Sequence, residues 1–205
     1  MTTGEYLDIL DRRYGKGPLG IVRCMVDSVR IRLFNRKLIG RYPWLIPLGS
    51  ERKRYFYGWT SLDMMPSGWR RAFGDAMVEE IHQDLLRCHF EKDYRIIEIK
   101  EKYGGLRWCD GGTPIESSVH DIIGKYEDIS FNTCIICGDR AELISKGYIL
   151  PYCIFCAIGE IRRQSLYFQR VGEPVEPLDI FYNRYTRIEC TSPVAHVYND
   201  EEMKE

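Results

Sequence analysis

The sequence predicts an α+β fold in which helices pack on a small antiparallel sheet and a treble-clef-like zinc module follows. Three observations carry this expectation. An apolar stripe at helical spacing runs from Trp69 to Leu85, and the pattern switches to a period of two between Asp93 and Asp110. Two Cys-x2-Cys pairs then follow, Cys134 with Cys137 and Cys153 with Cys156. On this basis the chain divides into four regions: a helical, basic and aromatic region over 1–66, a helix-hairpin-helix core over 67–130, a zinc module over 131–170 and an acidic extension over 171–205.

In the first region, Tyr6, Leu7, Leu10 and Tyr14 recur at helical spacing and predict a short helix, which "GKGPLG" breaks. The run from Ile21 to Pro43 reads two ways. Ile21, Val22, Met25, Val26 and Val29 favour a helix, whereas Val29 to Leu33 alternates like a strand. Tyr42-Pro43-Trp44 and Pro47 then impose an irregular segment, because proline removes a donor and restricts its predecessor.

The strongest helix has Ser67 as its N-cap and Trp69, Phe73, Met77, Ile81 and Leu85 on one face, with Arg70, Asp75, Glu79, Gln83 and Arg87 elsewhere on the wheel. His82 and His89 fall on or just after it and read as ordinary surface or core residues. In the hairpin that follows, Ile97 and Ile99 point one way and Glu98 and Lys100 the other, with a turn at Gly104-Gly105 and a return strand at Leu106-Arg107-Trp108. A second helix is predicted from a Thr113–Glu116 capping box with Pro114 in its first turn. Its apolar face is Ile115, Val119, Ile122, Tyr126 and Ile129, and Gly124 weakens it.

The zinc expectation rests on spacing. Two residues between thiols let one tight turn aim both sulfurs at a single ion, and four thiolates fill a tetrahedral zinc shell. Cys134, Cys137, Cys153 and Cys156 are therefore the predicted ligands of one structural Zn2+. Two disulfides or a redox pair are the alternative. Gly138 allows a knuckle turn, "ELISKGYIL" reads as a hairpin around Lys146-Gly147, and helical spacing resumes after Cys156 through Ile158, Ile161 and Leu166. That order is a treble clef; a zinc ribbon is the runner-up. An HNH nuclease centre on such a module needs histidines, and neither Gly138 to Tyr152 nor the stretch between Cys156 and His196 has one. Cys24, Cys88, Cys109 and Cys190 lack partners at short spacing and read as buried or semi-buried thiols.

Composition bounds the partners. The chain is 44% hydrophobic and 29% charged with net charge -1, and its N-terminus has no apolar core of signal-peptide length. A cytoplasmic protein with no membrane partner is expected, its cysteines reduced or metal-bound. The charge is unevenly spread: Arg23 to Arg54 holds nine Lys/Arg against two acids, and Val171 to Glu205 holds eight acids against three bases. The basic band offers Arg30, Arg32, Arg36, Lys37, Arg41, Arg52, Lys53 and Arg54 beside Trp44 and Tyr55. Arginines contact phosphates and aromatics stack on bases, but the same residues anchor protein interfaces. The alternative is an aromatic core under a basic exterior. Catalytic signatures are sparse. Glu98-x-Lys100 has the acid-x-lysine spacing of metal-dependent nucleases, yet no further acid is well placed to complete a magnesium site, and "YGKGPLG" lacks the Lys-Ser/Thr of a phosphate loop.

"GWRRAFGDAMVEEI", "IIEIKEKYGGLRW", "IIGKYEDIS" and the cysteine pairs, with Pro151-Tyr152 before the second, resemble a group of small uncharacterised proteins encoded in phages and prophages. The likeness spans Trp69 to Cys156. It implies a phage setting and zinc, and it carries over no catalytic residues. The expected function is that of a non-enzymatic binder that inhibits a host nucleic-acid-handling defence complex, in the manner of an anti-CRISPR protein. Its partner would be a host protein or nucleoprotein. A DNA- or RNA-binding regulator is the alternative, and a nuclease the third reading.

Overall fold

Described in the computed structural model are residues 1–12, 17–48, 58–164 and 168–170, with side chains to residue 160. Tyr14, Arg52, Lys53, Arg54, Tyr55, Ile161, Leu166, Cys190 and the acidic extension lie outside the described side chains. The fold is α+β. Among the described residues the helices are α1 (Thr3–Leu10), α2 (Pro18–Arg41), α3 (Asp75–Arg87), α4 (Val119–Phe131) and α5 (Ile154–Gln164). The strands are β1 (Ile96–Lys102), β2 (Gly105–Asp110), β3 (Leu143–Ser145), β4 (Pro151–Tyr152) and β5 (Phe168–Arg170). β1 and β2 form a two-stranded sheet, and the second sheet has the order β4-β3-β5. Two compact units emerge. The first is Met1–Met65, Phe73–Lys100 and Trp108–Ile123; the second is Pro66–Ala72, Glu101–Arg107 and Gly124–Glu205.

In the first unit, α1 starts with a reciprocal capping box. The Thr2 hydroxyl accepts from Glu5 N–H, and Glu5 accepts from the Thr2 N–H. Tyr6, Leu7 and Ile9 are its buried residues, and Leu10, expected on that face, is exposed. The ambiguous run is helical throughout as α2, so the alternation from Val29 to Leu33 forms no strand. Its inward residues are Asp27 and Asn35, not the apolar stripe that suggested a helix. Asn35 Nδ2 donates to Tyr6 Oη at 3.3 Å, to Asp63 Oδ2 at 3.2 Å and to the Gly58 carbonyl. Arg12 reaches Asp27 at 2.9 Å, and Arg30 lies 3.6 Å from its other oxygen. A helix held by a polar hub leaves its apolar side free to face outward. Hence Ile21, Val22, Met25, Val26 and Val29 are all exposed.

The predicted central stripe is buried at every position: Trp69, Phe73, Met77, Ile81 and Leu85. The helix begins with an α turn at Ser67–Trp69 and a π turn at Arg70–Gly74 before α3. A step of four residues overshoots the 3.6-residue α turn, and the wider π turn takes up part of the overshoot. Two details differ from expectation. Arg70 is buried, and the N-cap is Pro66, which leaves the Ser67 hydroxyl to donate to the Ile136 carbonyl at 3.4 Å.

In the hairpin, Ile96 and Ile99 are buried whereas Ile97 is 62% exposed, so strict alternation fails along β1. The turn is Tyr103-Gly104, left-handed at both positions with φ of 53° and 83°, which is the twist a two-residue hairpin requires. Gly105 instead opens β2, where an added Cβ would lie 2.5 Å from Phe131 Cζ.

α4 starts at Val119, later than the proposed Thr113 cap, and Ile115 is 96% exposed. Asp84 does the capping from a distant part of the sequence. Its Oδ2 accepts from Ser118 N–H and Ser117 Oγ–H, both at 2.8 Å, while Oδ1 pairs with Arg87. The buried face is Val119, Ile123, Tyr126 and Ser130; Ile129 is exposed. Burial alone would raise the Asp84 carboxyl, but the bonds from Arg87, Ser117 and Ser118 outweigh it and hold it below the ordinary 3.8. A depressed carboxyl contributes stability that is complete above its unfolded value and is lost as pH falls through the folded one. Asp84→Asn is expected to cost about 2 kcal/mol at neutral pH, and its urea midpoint should converge on wild type as pH drops below about 4. A gap that stays constant down to acid pH would contradict this role.

Candidate metal centre

The four thiols converge because a turn, a hairpin and a helix start each place them with backbone hydrogen bonds. At the first pair, Thr133 and Arg140 form an isolated antiparallel bridge, and Cys134 N–H donates to the Asp139 carbonyl at 2.7 Å. Gly138 N–H returns to the Cys134 carbonyl at 3.0 Å, and Gly138 takes a φ of 88° that only glycine adopts freely. This is the knuckle. The strands β3 and β4 pair with Leu143 opposite Tyr152 and Ile144 opposite Pro151, which brings the chain back to Cys153. α5 begins directly afterwards at Ile154, so that the second pair opens the helix and Cys156 sits in its first turn. Ala157 and Glu160 are buried there, and Ile158 is exposed. β5 adds to β3 with Leu143 opposite Arg170, a pairing with no short-range signal in the sequence. Knuckle, hairpin and helix follow in the treble-clef order.

Every sulfur of Cys134, Cys137, Cys153 and Cys156 lies within 4.8 Å of the others, and Cys137 and Cys153 approach to 3.5 Å. A tetrahedral ion with bonds of about 2.3 Å spaces its ligands roughly 3.8 Å apart, so the cluster fits one metal ion. All four sulfurs converge on one shell rather than in two separate pairs, which is the arrangement a single ion takes. Cys134 and Cys153 are buried and Cys137 and Cys156 half-buried.

The electrostatics point the same way. Burial pushes the Cys137 thiol up, and burial together with its thiol neighbours pushes Cys156 up to about 12. Burial would also raise Cys134, but the N–H groups of Cys137, Cys153 and Ile136 aimed at its sulfur prevail and lower it. The Cys156 N–H likewise points at Cys153 Sγ, at 3.4 Å. Such donors stabilise thiolates, and four thiolates this close require a cation to offset their repulsion. A closed four-sulfur shell leaves no position for a reacting water, so an ion held there would be structural.

The sequence missed what braces the knuckle. Gly68 N–H donates to the Ile135 carbonyl at 3.0 Å, and Trp69 Nε1–H donates to the Thr133 carbonyl at 2.9 Å. A Cβ on Gly68 would lie 2.6 Å from the Ile135 oxygen and closer still to that of Cys134. The signal was present as a glycine in a helical first turn, but nothing local says what approaches it.

Of the basic band, Arg30, Arg32, Arg36 and Lys37 are exposed on α2. Arg41 donates to Glu79 at 2.7 Å and lies 5.2 Å from the Tyr42 ring centre. Trp44 is only 1% exposed and belongs to the core. Glu98 and Lys100 pair with each other at 2.5 Å on the surface. Among the described residues, the cysteine cluster is the one grouping of His, Cys, Asp or Glu that could hold a metal ion. Cys24, expected to be at least half-buried, is exposed, and no described helix is long and apolar enough to cross a membrane. No family model, curated protein or solved structure matches the chain.

Proposed function

We propose that this chain is a non-enzymatic binding protein, stapled by one structural Zn2+ on Cys134, Cys137, Cys153 and Cys156. In this reading it is of phage type and blocks a host nucleic-acid-handling defence complex, a CRISPR effector being the leading case. The observation that carries the binding reading is the outward face of α2. Leu19, Val22, Val26, Val29 and Leu33 recur at steps of three and four and are 53–83% exposed. Arg23, Arg30 and Lys37 flank this stripe on one side, and Arg32 and Arg36 on the other. A contiguous apolar stripe left to water is costly in a monomer and marks a docking surface. Its cationic borders suit a partner whose own groove is lined with acids or phosphates.

The test compares inhibition of the purified host complex by wild type, by Val22→Glu/Val26→Glu and by Arg32→Glu/Arg36→Glu. These residues are exposed, so zinc content and melting temperature should stay unchanged. Inhibition should fall at least tenfold in both variants. Unaltered inhibition would remove α2 from the interface. Tight binding of DNA or RNA without any host protein, weakening steeply with salt, would favour the regulator instead. Magnesium-dependent cleavage lost in Glu98→Ala would overturn the non-enzymatic reading.

A further inference from the structure

A second feature lies in the first unit. An open cleft of about 660 Å3 has Arg41, Trp44, His82, Lys92 and Arg95 among its lining residues. Its apolar wall comes from Pro43, Ile46, Pro47 and Leu48, and the two prolines stiffen that wall. Arg41 is paired with Glu79, which leaves Lys92 and Arg95 against one lining acid, Glu91. The Arg95 guanidinium is anchored by Nη1, which donates to the carbonyls of Lys92 at 2.5 Å and Tyr94 at 2.6 Å. Its remaining donors are thereby oriented, while Lys92 is exposed beside it.

Two buried polar atoms in the residues of this wall have no hydrogen-bond partner among the described residues: Trp44 Nε1 and His82 Nδ1. Both rings are held by edge contacts. His82 stands at 83° to Tyr42 with centroids 5.0 Å apart, and Trp44 at 82° to Tyr94 with centroids 5.4 Å apart. Tyr94 is fixed in turn, since its hydroxyl donates to Asp110 at 3.0 Å and accepts from Trp108 Nε1–H at 3.0 Å. Both nitrogens are closed off from solvent behind the wall, and the exposed polar side chains at the cleft include those of Lys92 and Arg95. An apolar wall with a few convergent polar groups is the usual make-up of a small-molecule site.

We propose that this cleft binds a small organic anion. An aryl or alkyl body lies on the wall of Pro43, Ile46 and Leu48, and a phosphate or carboxylate meets Lys92 and Arg95. The site is independent of the α2 docking face and of the zinc cluster. Binding here gives the protein a small-molecule input of its own.

The experiment titrates zinc-loaded protein with phenyl phosphate, benzoate, inorganic phosphate and neutral benzyl alcohol. Affinity is measured by calorimetry, and the indole N–H resonances are followed by NMR, with Trp44 assigned through Trp44→Phe. Phenyl phosphate or benzoate should bind at least tenfold tighter than benzyl alcohol or inorganic phosphate, and the tighter of the two names the anion. Lys92→Gln/Arg95→Gln, both exposed and outside the core, should weaken it at least tenfold. The Trp44 indole signal should shift with saturation. An unmoved indole signal, a bound water as the sole occupant, or equal affinity in the double variant would each overturn the proposal.

Discussion

Replacing Cys134 or Cys153 by serine is expected to abolish metal binding and unfold the second unit. Both side chains are buried, and both sulfurs sit in a shell no wider than 4.8 Å. Serine offers a hydroxyl in place of a thiolate, so it loses the ligand and leaves three sulfurs facing each other. The secondary structure around them is slight: β3 has three residues and β4 has two. Strands this short contribute little alone, whereas structural zinc in modules of this kind contributes on the order of 10 kcal/mol to folding. Purified wild type should therefore carry about one zinc per chain by elemental analysis. Cys88→Ser and Cys109→Ser, outside the cluster, should keep it. A metal-free wild type with the same melting temperature as the loaded form would sink the idea.

Gly68→Ala should give the second large effect, although it removes no interaction and adds one methyl group. The new Cβ would be 2.6 Å from the Ile135 oxygen, with the Cys134 carbonyl nearer still. These are backbone atoms of the knuckle, so no side chain can rotate aside. Either the helical first turn withdraws, losing the Gly68–Ile135 hydrogen bond, or the knuckle opens and disturbs its thiols. A cost of about 3 kcal/mol or more is expected, the upper range for overpacking. Gly124→Ala is the counterpart. It lies within α4 with nothing inside 4 Å of its added Cβ, and it should stabilise by roughly 0.5–1 kcal/mol. Urea midpoints of the two variants measure both signs, and a zinc-competition assay should show weaker metal holding in Gly68→Ala alone. Equal midpoints for Gly68→Ala and wild type would refute the tight approach.

The α+β class, the Trp69-to-Leu85 stripe and the clustering of the four cysteines were determined by the sequence itself. Each is a local periodicity or spacing: a period near 3.6, a period of two, and pairs separated by two residues. Such signals survive without knowing what packs against them. Only the tertiary structure decided which face of α2 turns inward. Periodicity ranks its apolar stripe as core, but Asn35 bonds to Tyr6, Asp63 and Gly58, and Asp27 bonds to Arg12. Those partners lie 15 to 29 residues away, so no window of sequence contains them. The start of α4 was hidden for the same reason: its cap is Asp84, which is 34 residues before Ser118. Helix and strand are written in near neighbours, whereas the direction a face points is fixed by polar groups that meet only once the chain has folded.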